Sequence, residues 1–474
     1  MVRCVCVSAL AFILSIPIQA AAPKSKSTAS AASAEPRASA PVGGNFAREV
    51  LPNGIIVGVV HVPGAERVAV ETLYKVGFMH EPAGMPQVTH LLEHLVAQGK
   101  IPGYGVGEVM QKLNATGMAN AETLPSFTHY DYVAPSADLE KILAIEAGRL
   151  TNLVFDAALI KAEAAKCQQE AEVVERNPQA GMLKHAFMAM NQGWQHRARA
   201  ARVRSGLETL KVEDVREFHK KFYNPRNLIV LIVGGVSVEE GMALAKKTLS
   251  PIPAGAAAPA IPVQWENTSE HLAMAWDSKV RAFCLAYTPP EKARDRLLLT
   301  LLGTVMLPKL SQHPDLQLAA HMVFTSNTTW PVGALPFFIY AVPKTNISLL
   351  KMQQMIIERI EVPDAKLPSG PDMQQLRLAL AELVTRPNYS IDLIRQQAST
   401  FGRQMNMETS KAVDVVLANI ALQLALREVL LDGITAADLN ELGRMTAEEI
   451  ESVFAKATQL PKQTLNILLP EDRQ

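Results

Sequence analysis

The sequence predicts an α+β chain built from two similar domains, and three observations carry that prediction. Short runs rich in β-branched and aromatic residues alternate with longer runs of helical character. A Pro/Ala segment at 251–262 (PIPAGAAAPAIP) reads as a linker between two ordered stretches. The plan of Val212 to Val233, a helical run and then an apolar strand, recurs in degenerate form from Met445 to Leu469.

Taken in order, the chain opens like an export signal over 1–22. A single Arg3 precedes an apolar run, Cys4 to Ile16, that is too short to span a bilayer; Pro17 breaks it, and Ala20 to Ala22 offer cleavage points. An uncleaved anchor is the alternative. Residues 23–45 are rich in Ala, Ser, Pro and Lys without apolar period and read as a disordered tether. A first domain is expected over 46–250. Its turn at Pro52-Asn53-Gly54, followed by Ile55 to Val60, signals a hairpin, and Arg67 to Val76 is a second strand. A helix with Pro86 in its first turn comes next. Gly107 to Leu113 predicts a short helix, Asn114 to Met118 a turn, and Ala119 to Thr123 and Ser126 to Val133 two strands. Ser136 and Asp156 are candidate caps of helices running to about Asn152 and Arg176. A helix over 212–222 and a strand over 227–233 close the domain. After the linker, a second domain over 263–474 opens with strands at 280–287 and 336–342 flanking a helix at 292–306.

Bulk properties exclude some functions. With 48% apolar residues, 474 positions hold ample core, and a formal net charge of zero offers no basic field for nucleic acid or an anionic membrane. No segment beyond the signal reads as transmembrane. Of four cysteines, Cys4 and Cys6 belong to the signal. Cys167 and Cys284 are expected as free buried thiols, which excludes a disulfide framework and a cysteine-rich metal site.

The chemistry centres on PQVTHLLEHLV, residues 86–96. On a helix His90, Glu93 and His94 stand at i, i+3 and i+4, so two imidazoles and a carboxylate share one face. Imidazoles are good zinc ligands, and a carboxylate beside them can take a proton from water. This is the inverted H-x-x-E-H order. Such pentads should arise by chance roughly 0.01–0.02 times in a chain of this composition. The alternative is a buried helix whose polar residues satisfy one another. Zinc needs a third protein ligand. The expected helix from Asp156 to Arg176 carries Glu163 and Glu170 on one stripe, seven residues apart, while Glu172 and Glu175 point elsewhere. One of the stripe carboxylates could bind metal and the other could hold a ligand histidine in place; a solvated acidic face is the alternative.

These motifs together resemble the pitrilysin/insulinase-type zinc peptidases, including the mitochondrial processing peptidases and small bacterial relatives. The resemblance runs from about Phe46 to Pro253. It is carried by His90–His94 (HLLEH), Asn120–Thr123 (NAET), Thr128–Tyr130 (THY), Glu146–Leu150 (EAGRL) and Tyr223–Asn227 (YNPRN). Gln87-Val88-Thr89, Gly148 and Gln169 depart from the family pattern without removing a ligand. The resemblance implies two similar α+β domains, each an antiparallel sheet with helices packed on one face. It implies a single Zn²⁺ on His90, His94 and Glu170, with Glu93 as catalytic base and Glu163 as helper. Peptide substrate would add as an extended strand along Asn120, Ala121 and Glu122. Self-sufficient members also carry an Arg/Tyr pair in the second half, whereas residues 301–330 here contain neither Arg nor Tyr. The expectation is an exported, periplasmic or secreted metalloendopeptidase, acting as the zinc-bearing subunit of a heterodimer whose zinc-less homologous partner supplies the pair. Alternatives are a catalytically silent scaffold or assembly subunit, and a hydrolase of a non-peptide substrate.

Overall fold

The computed structural model describes residues 44–82, 84–124, 126–176, 207, 210–257, 270–275, 281–287, 290–325, 338–361, 370–385, 387–458 and 462–468. The expected signal over 1–22, nearly all of the tether and residues 258–262 of the linker lie outside the described residues.

The first half opens with β1 (Phe46–Val50), β2 (Ile56–His61) and β3 (Arg67–Tyr74). β1 and β2 form the expected antiparallel hairpin. Gly54 turns it at φ +99°, where a Cβ would meet the Arg226 side chain at 2.9 Å. Then come α1 (Val88–Gln98), α2 (Glu108–Thr116), β4 (Met118–Thr123), β5 (Thr128–Pro135), α3 (Leu139–Thr151), α4 (Ala157–Arg176), α5 (Val212–Phe222), β6 (Leu228–Gly234) and α6 (Val238–Leu249). The sheet order is β1-β2-β6-β3-β5-β4. β6 enters the middle of the sheet, antiparallel to β3 and parallel to β2. The sheet is therefore mixed, where a purely antiparallel one was expected.

The second half holds β7 (Glu270–Ala275), β8 (Ala282–Tyr287), α7 (Ala293–Ser311), α8 (Pro314–Ala319), β9 (Ala320–Thr325), β10 (Phe338–Pro343), α9 (Leu349–Glu361), α10 (Gly370–Val384), α11 (Ile391–Met405), α12 (Thr409–Leu430), α13 (Ala436–Arg444), α14 (Ala447–Thr458) and β11 (Lys462–Leu468). Its sheet order is β7-β11-β8-β10-β9. β11 lies parallel to β7 and antiparallel to β8, as β6 does to β2 and β3. The sequence echo is thus a structural repeat: in each half a late helix leads into a strand that enters mid-sheet. Among the described residues no helix is long and apolar enough to cross a membrane.

Two further expectations change. The first sheet is covered on both faces. α1, α3 and α6 pack with Val68, Val70 and Tyr132 on one face, while α11 and α12 of the second half pack with Ala69, Leu73 and Val233 on the other. The reason is legible in β6, whose LIVLIVG run is buried at every position and cannot leave a face to water. Ser136 does not cap α3. It begins a 3-10 turn, Ser136–Asp138, and its hydroxyl has no hydrogen-bond partner. Asp156 does cap α4, accepting from the Leu159 amide at 2.9 Å.

Candidate metal centre

α1 buries Val88, Leu91, Leu92, Leu95 and Val96 against the first sheet, which leaves His90 and His94 on the opposite side. Its start differs from expectation. Pro86 lies outside the helix, and Gln87 precedes Val88 in a left-handed conformation at φ +62° without a side-chain cap. The carboxylate of Glu81 caps the helix from outside, accepting from the amides of Gln87 at 2.8 Å and Thr89 at 3.2 Å and from the Thr89 hydroxyl. A carboxylate at a helix N-terminus also meets the positive end of its dipole. The other end is pinned by Arg149 of α3, which donates to Ala97 O at 3.1 Å and to buried Glu146 at 2.8 Å. Glu146 in turn accepts from Thr72 of β3.

α4 packs against α1 and presents Glu163, Cys167 and Glu170 on one stripe. Glu170 Oε2 stands 3.3 Å from His90 Nε2 and 3.5 Å from His94 Nε2. Ligand atoms of a tetrahedral zinc site with ~2.0–2.1 Å bonds are about 3.3–3.4 Å apart, so both spacings from Glu170 suit that ion. Glu163 Oε2 lies 3.0 Å from His94 Nδ1, on the far side of the ring, and its Oε1 accepts from Lys166 at 2.6 Å. Hydrogen bonds from both imidazoles hold the Glu170 carboxyl well below the usual range. Burial opposes charge on His90 and His94, but hydrogen bonds to Cys167, to Glu170 and, for His94, to Glu163 outweigh it. His90 is raised to about 10, and His94 is raised too. Burial likewise opposes charge on Glu163, and His94 and Lys166 reverse that.

Glu93 accepts from Thr123 Oγ1 at 2.7 Å. Thr123 belongs to β4, the edge strand beyond β5 among the described residues. Strand alternation separates the predicted substrate positions. Ala121 packs on the α1 side. Glu122 faces His129 across the sheet, with its Oε2 3.8 Å from Nε2, and Asn120 is opposite Asp131 in register. All three residues are half-buried, on a strand whose outer edge pairs with no other strand among the described residues.

Sequence reasoning missed Thr123 as the partner of Glu93, Glu81 as the cap, and Cys167 as a neighbour of the centre. Cys167 is fully buried, as expected, but its sulfur lies within 4.8 Å of ligand atoms of both His90 and His94. Its i, i+3 spacing from Glu170 was the available signal. Glu172 is exposed, away from the centre.

Comparison with known proteins gives a consistent picture. Residues 57–201 match the family described as "Insulinase (Peptidase family M16)", and residues 209–362 match "Peptidase M16 inactive domain". The chain is 27% identical over 203 residues to zinc protease PqqE of Helicobacter pylori, an alignment covering 42% of this chain and 45% of that protein. It is 26% identical over 197 residues to a probable mitochondrial-processing peptidase subunit beta of Schizosaccharomyces pombe, covering 42% and 43%. The chain thus spans under half the length of either relative. A solved protease from Helicobacter pylori superposes with a TM-score of 0.66 at 19% identity, over 89% of this chain and 99% of that one. The M16 inactive domain from Pseudomonas fluorescens gives 0.64 at 14%, over 90% and 98%. These last two likenesses speak to fold alone.

Proposed function

Because the chain belongs to the insulinase (M16) peptidase family, we propose that it is a zinc-dependent endopeptidase. In this reading His90, His94 and Glu170 hold the ion, Glu93 is the general base, and Glu163 positions His94. The supporting observation is the single oxygen of Glu170 seated at bonding-polyhedron distance from both Nε2 atoms. Zinc in this setting supplies Lewis acidity toward water and the scissile carbonyl. Glu93 takes the proton of the attacking water and returns a proton to the leaving amine. Thr123 holds Glu93 in place through the 2.7 Å hydrogen bond. The edge of β4 offers backbone donors and acceptors to an extended peptide along Asn120, Ala121 and Glu122, which selects unstructured segments over folded ones.

Residues 301–330 supply neither Arg nor Tyr. The proposal therefore includes a homologous zinc-less partner that provides this pair. Export to the periplasm or beyond is the accompanying proposal, supported by the signal-like N-terminus. The experiment compares cleavage of unstructured peptides by wild type and Glu93→Gln, each alone and with a homologous subunit. Wild type is expected to cleave only in the pair, and Glu93→Gln in neither sample although it retains zinc. Equal activity of wild type alone and paired would refute the heterodimer. A zinc-loaded, folded pair without hydrolysis would favour the scaffold reading.

A further inference from the structure

Strand alternation gathers a second set of titratable groups on the opposite face of the first sheet. Glu71 of β3 is in register with Asp131 of β5, and His129 precedes Asp131 by two residues on the same face. Ligand atoms of Glu71, His129 and Asp131 all lie within 4.8 Å of one another. The three residues are 0%, 1% and 7% exposed, beneath the face that α12 covers. His129 Nδ1 stands 3.0 Å from Glu71 Oε1, yet neither oxygen of Glu71 and neither nitrogen of His129 makes a hydrogen bond. The approach is close but off the hydrogen-bonding line. Glu122 of β4 faces the other ring nitrogen at 3.8 Å. One imidazole thus sits among three carboxylates beneath a covered sheet face. A buried carboxylate without donors, as Glu71 is, is costly, and coordination of a cation is one of the few ways to satisfy it.

We infer that Glu71, His129 and Asp131 form a second, structural divalent-cation site, with His129 Nδ1 and one oxygen from each carboxylate as ligands. Glu122 fits the outer position, a carboxylate on the far nitrogen of a ligand histidine. One nitrogen and two oxygens suit Zn²⁺ or Mn²⁺ better than a soft ion. Burial leaves no route for a substrate, so the role is structural. The site ties β3 and β5 together under α12. It also touches the peptidase centre through β4, where Glu122 faces this cluster and the next residue, Thr123, faces Glu93.

The test uses the full chain with His90→Ala and His94→Ala, which empties the proposed catalytic centre. The chain is stripped with chelator, reloaded with Zn²⁺ or with Mn²⁺, desalted and assayed by elemental analysis, with circular dichroism to establish folding. It is expected to keep about one metal equivalent, falling roughly tenfold when Glu71→Gln is added. Should that variant not fold, Asp131→Asn gives the same reading. In the chain without the histidine substitutions, Glu71→Gln should lower metal from about two equivalents to one. A folded His90→Ala/His94→Ala chain free of both metals overturns the inference, as does metal content indifferent to Glu71→Gln and Asp131→Asn. Failure of the peptidase reading would look different: wild type and the histidine variant would then hold the same single equivalent.

Discussion

Glu93 is oriented by the protein itself, through Thr123 Oγ1 at 2.7 Å. Replacing Glu93 by Gln keeps size and packing but removes the base, so kcat should fall about 10²–10⁴-fold with zinc content unchanged, as measured by peptide hydrolysis and elemental analysis. Glu163 acts one step away, on the far nitrogen of His94. Glu163→Gln should weaken zinc binding by about 10–100-fold, read by competition with a chromophoric chelator. The pentad and the Glu163/Glu170 stripe were legible in the sequence because helix geometry converts i, i+3, i+4 and i+7 spacings into one face. Thr123 and Glu81 were not, because each meets α1 only after the chain has folded back on itself. The cluster around His129 was hidden for a related reason. Its members lie on separate strands whose register no local pattern reveals, and His129 read as one more scattered histidine.

At the scale of the element, α1 depends on groups outside it. Glu81→Ala leaves the amides of Gln87 and Thr89 without their acceptor. The cost should be about 1–2 kcal/mol, seen as a lower midpoint in urea, with a larger relative loss of zinc affinity because His90 sits in the first turn. α5 brings a pH dependence. Burial lowers the pKa of His219 from 6.5 to about 4. Unfolding lets this ring take up a proton anywhere between those values, so its stabilisation is full above pH 6.5 and is lost as the pH falls toward 4. That loss should be on the order of 2–3 kcal/mol, and His219→Gln should flatten the stability profile in this window. Elements whose signals are local, such as the Pro52-Asn53-Gly54 turn and the Asp156 cap, formed as the sequence indicated. Ser136 did not become a cap, since the chain tightens into a 3-10 turn there first.

Over the whole molecule, the two halves share a core. α12 lies on the first sheet, and Arg67 of β3 holds Asp414 of α12 with contacts of 2.5 and 2.9 Å. Arg48 of β1 pairs with Glu428 at 2.9 Å, near the other end of the same helix. Asp414→Ala should cost about 1–3 kcal/mol, as the half-buried Arg67 then loses its partner. Residues 46–257 expressed alone should associate or aggregate, because the face carrying Ala69, Leu73 and Val233 would meet water; gel filtration checks this. The duplicated plan was visible in the echo of 212–233 by 445–469. The shared core was not, because which helix covers a sheet's second face is settled by tertiary packing alone. The account as a whole depends on Glu170 meeting His90 and His94 around one ion. Zinc titration of stripped wild type against Glu170→Gln tests this most directly. The account predicts that the variant loses one tight equivalent while its fold and the Glu71–His129–Asp131 cluster stay intact. An unchanged number of tight zinc equivalents in Glu170→Gln would contradict it.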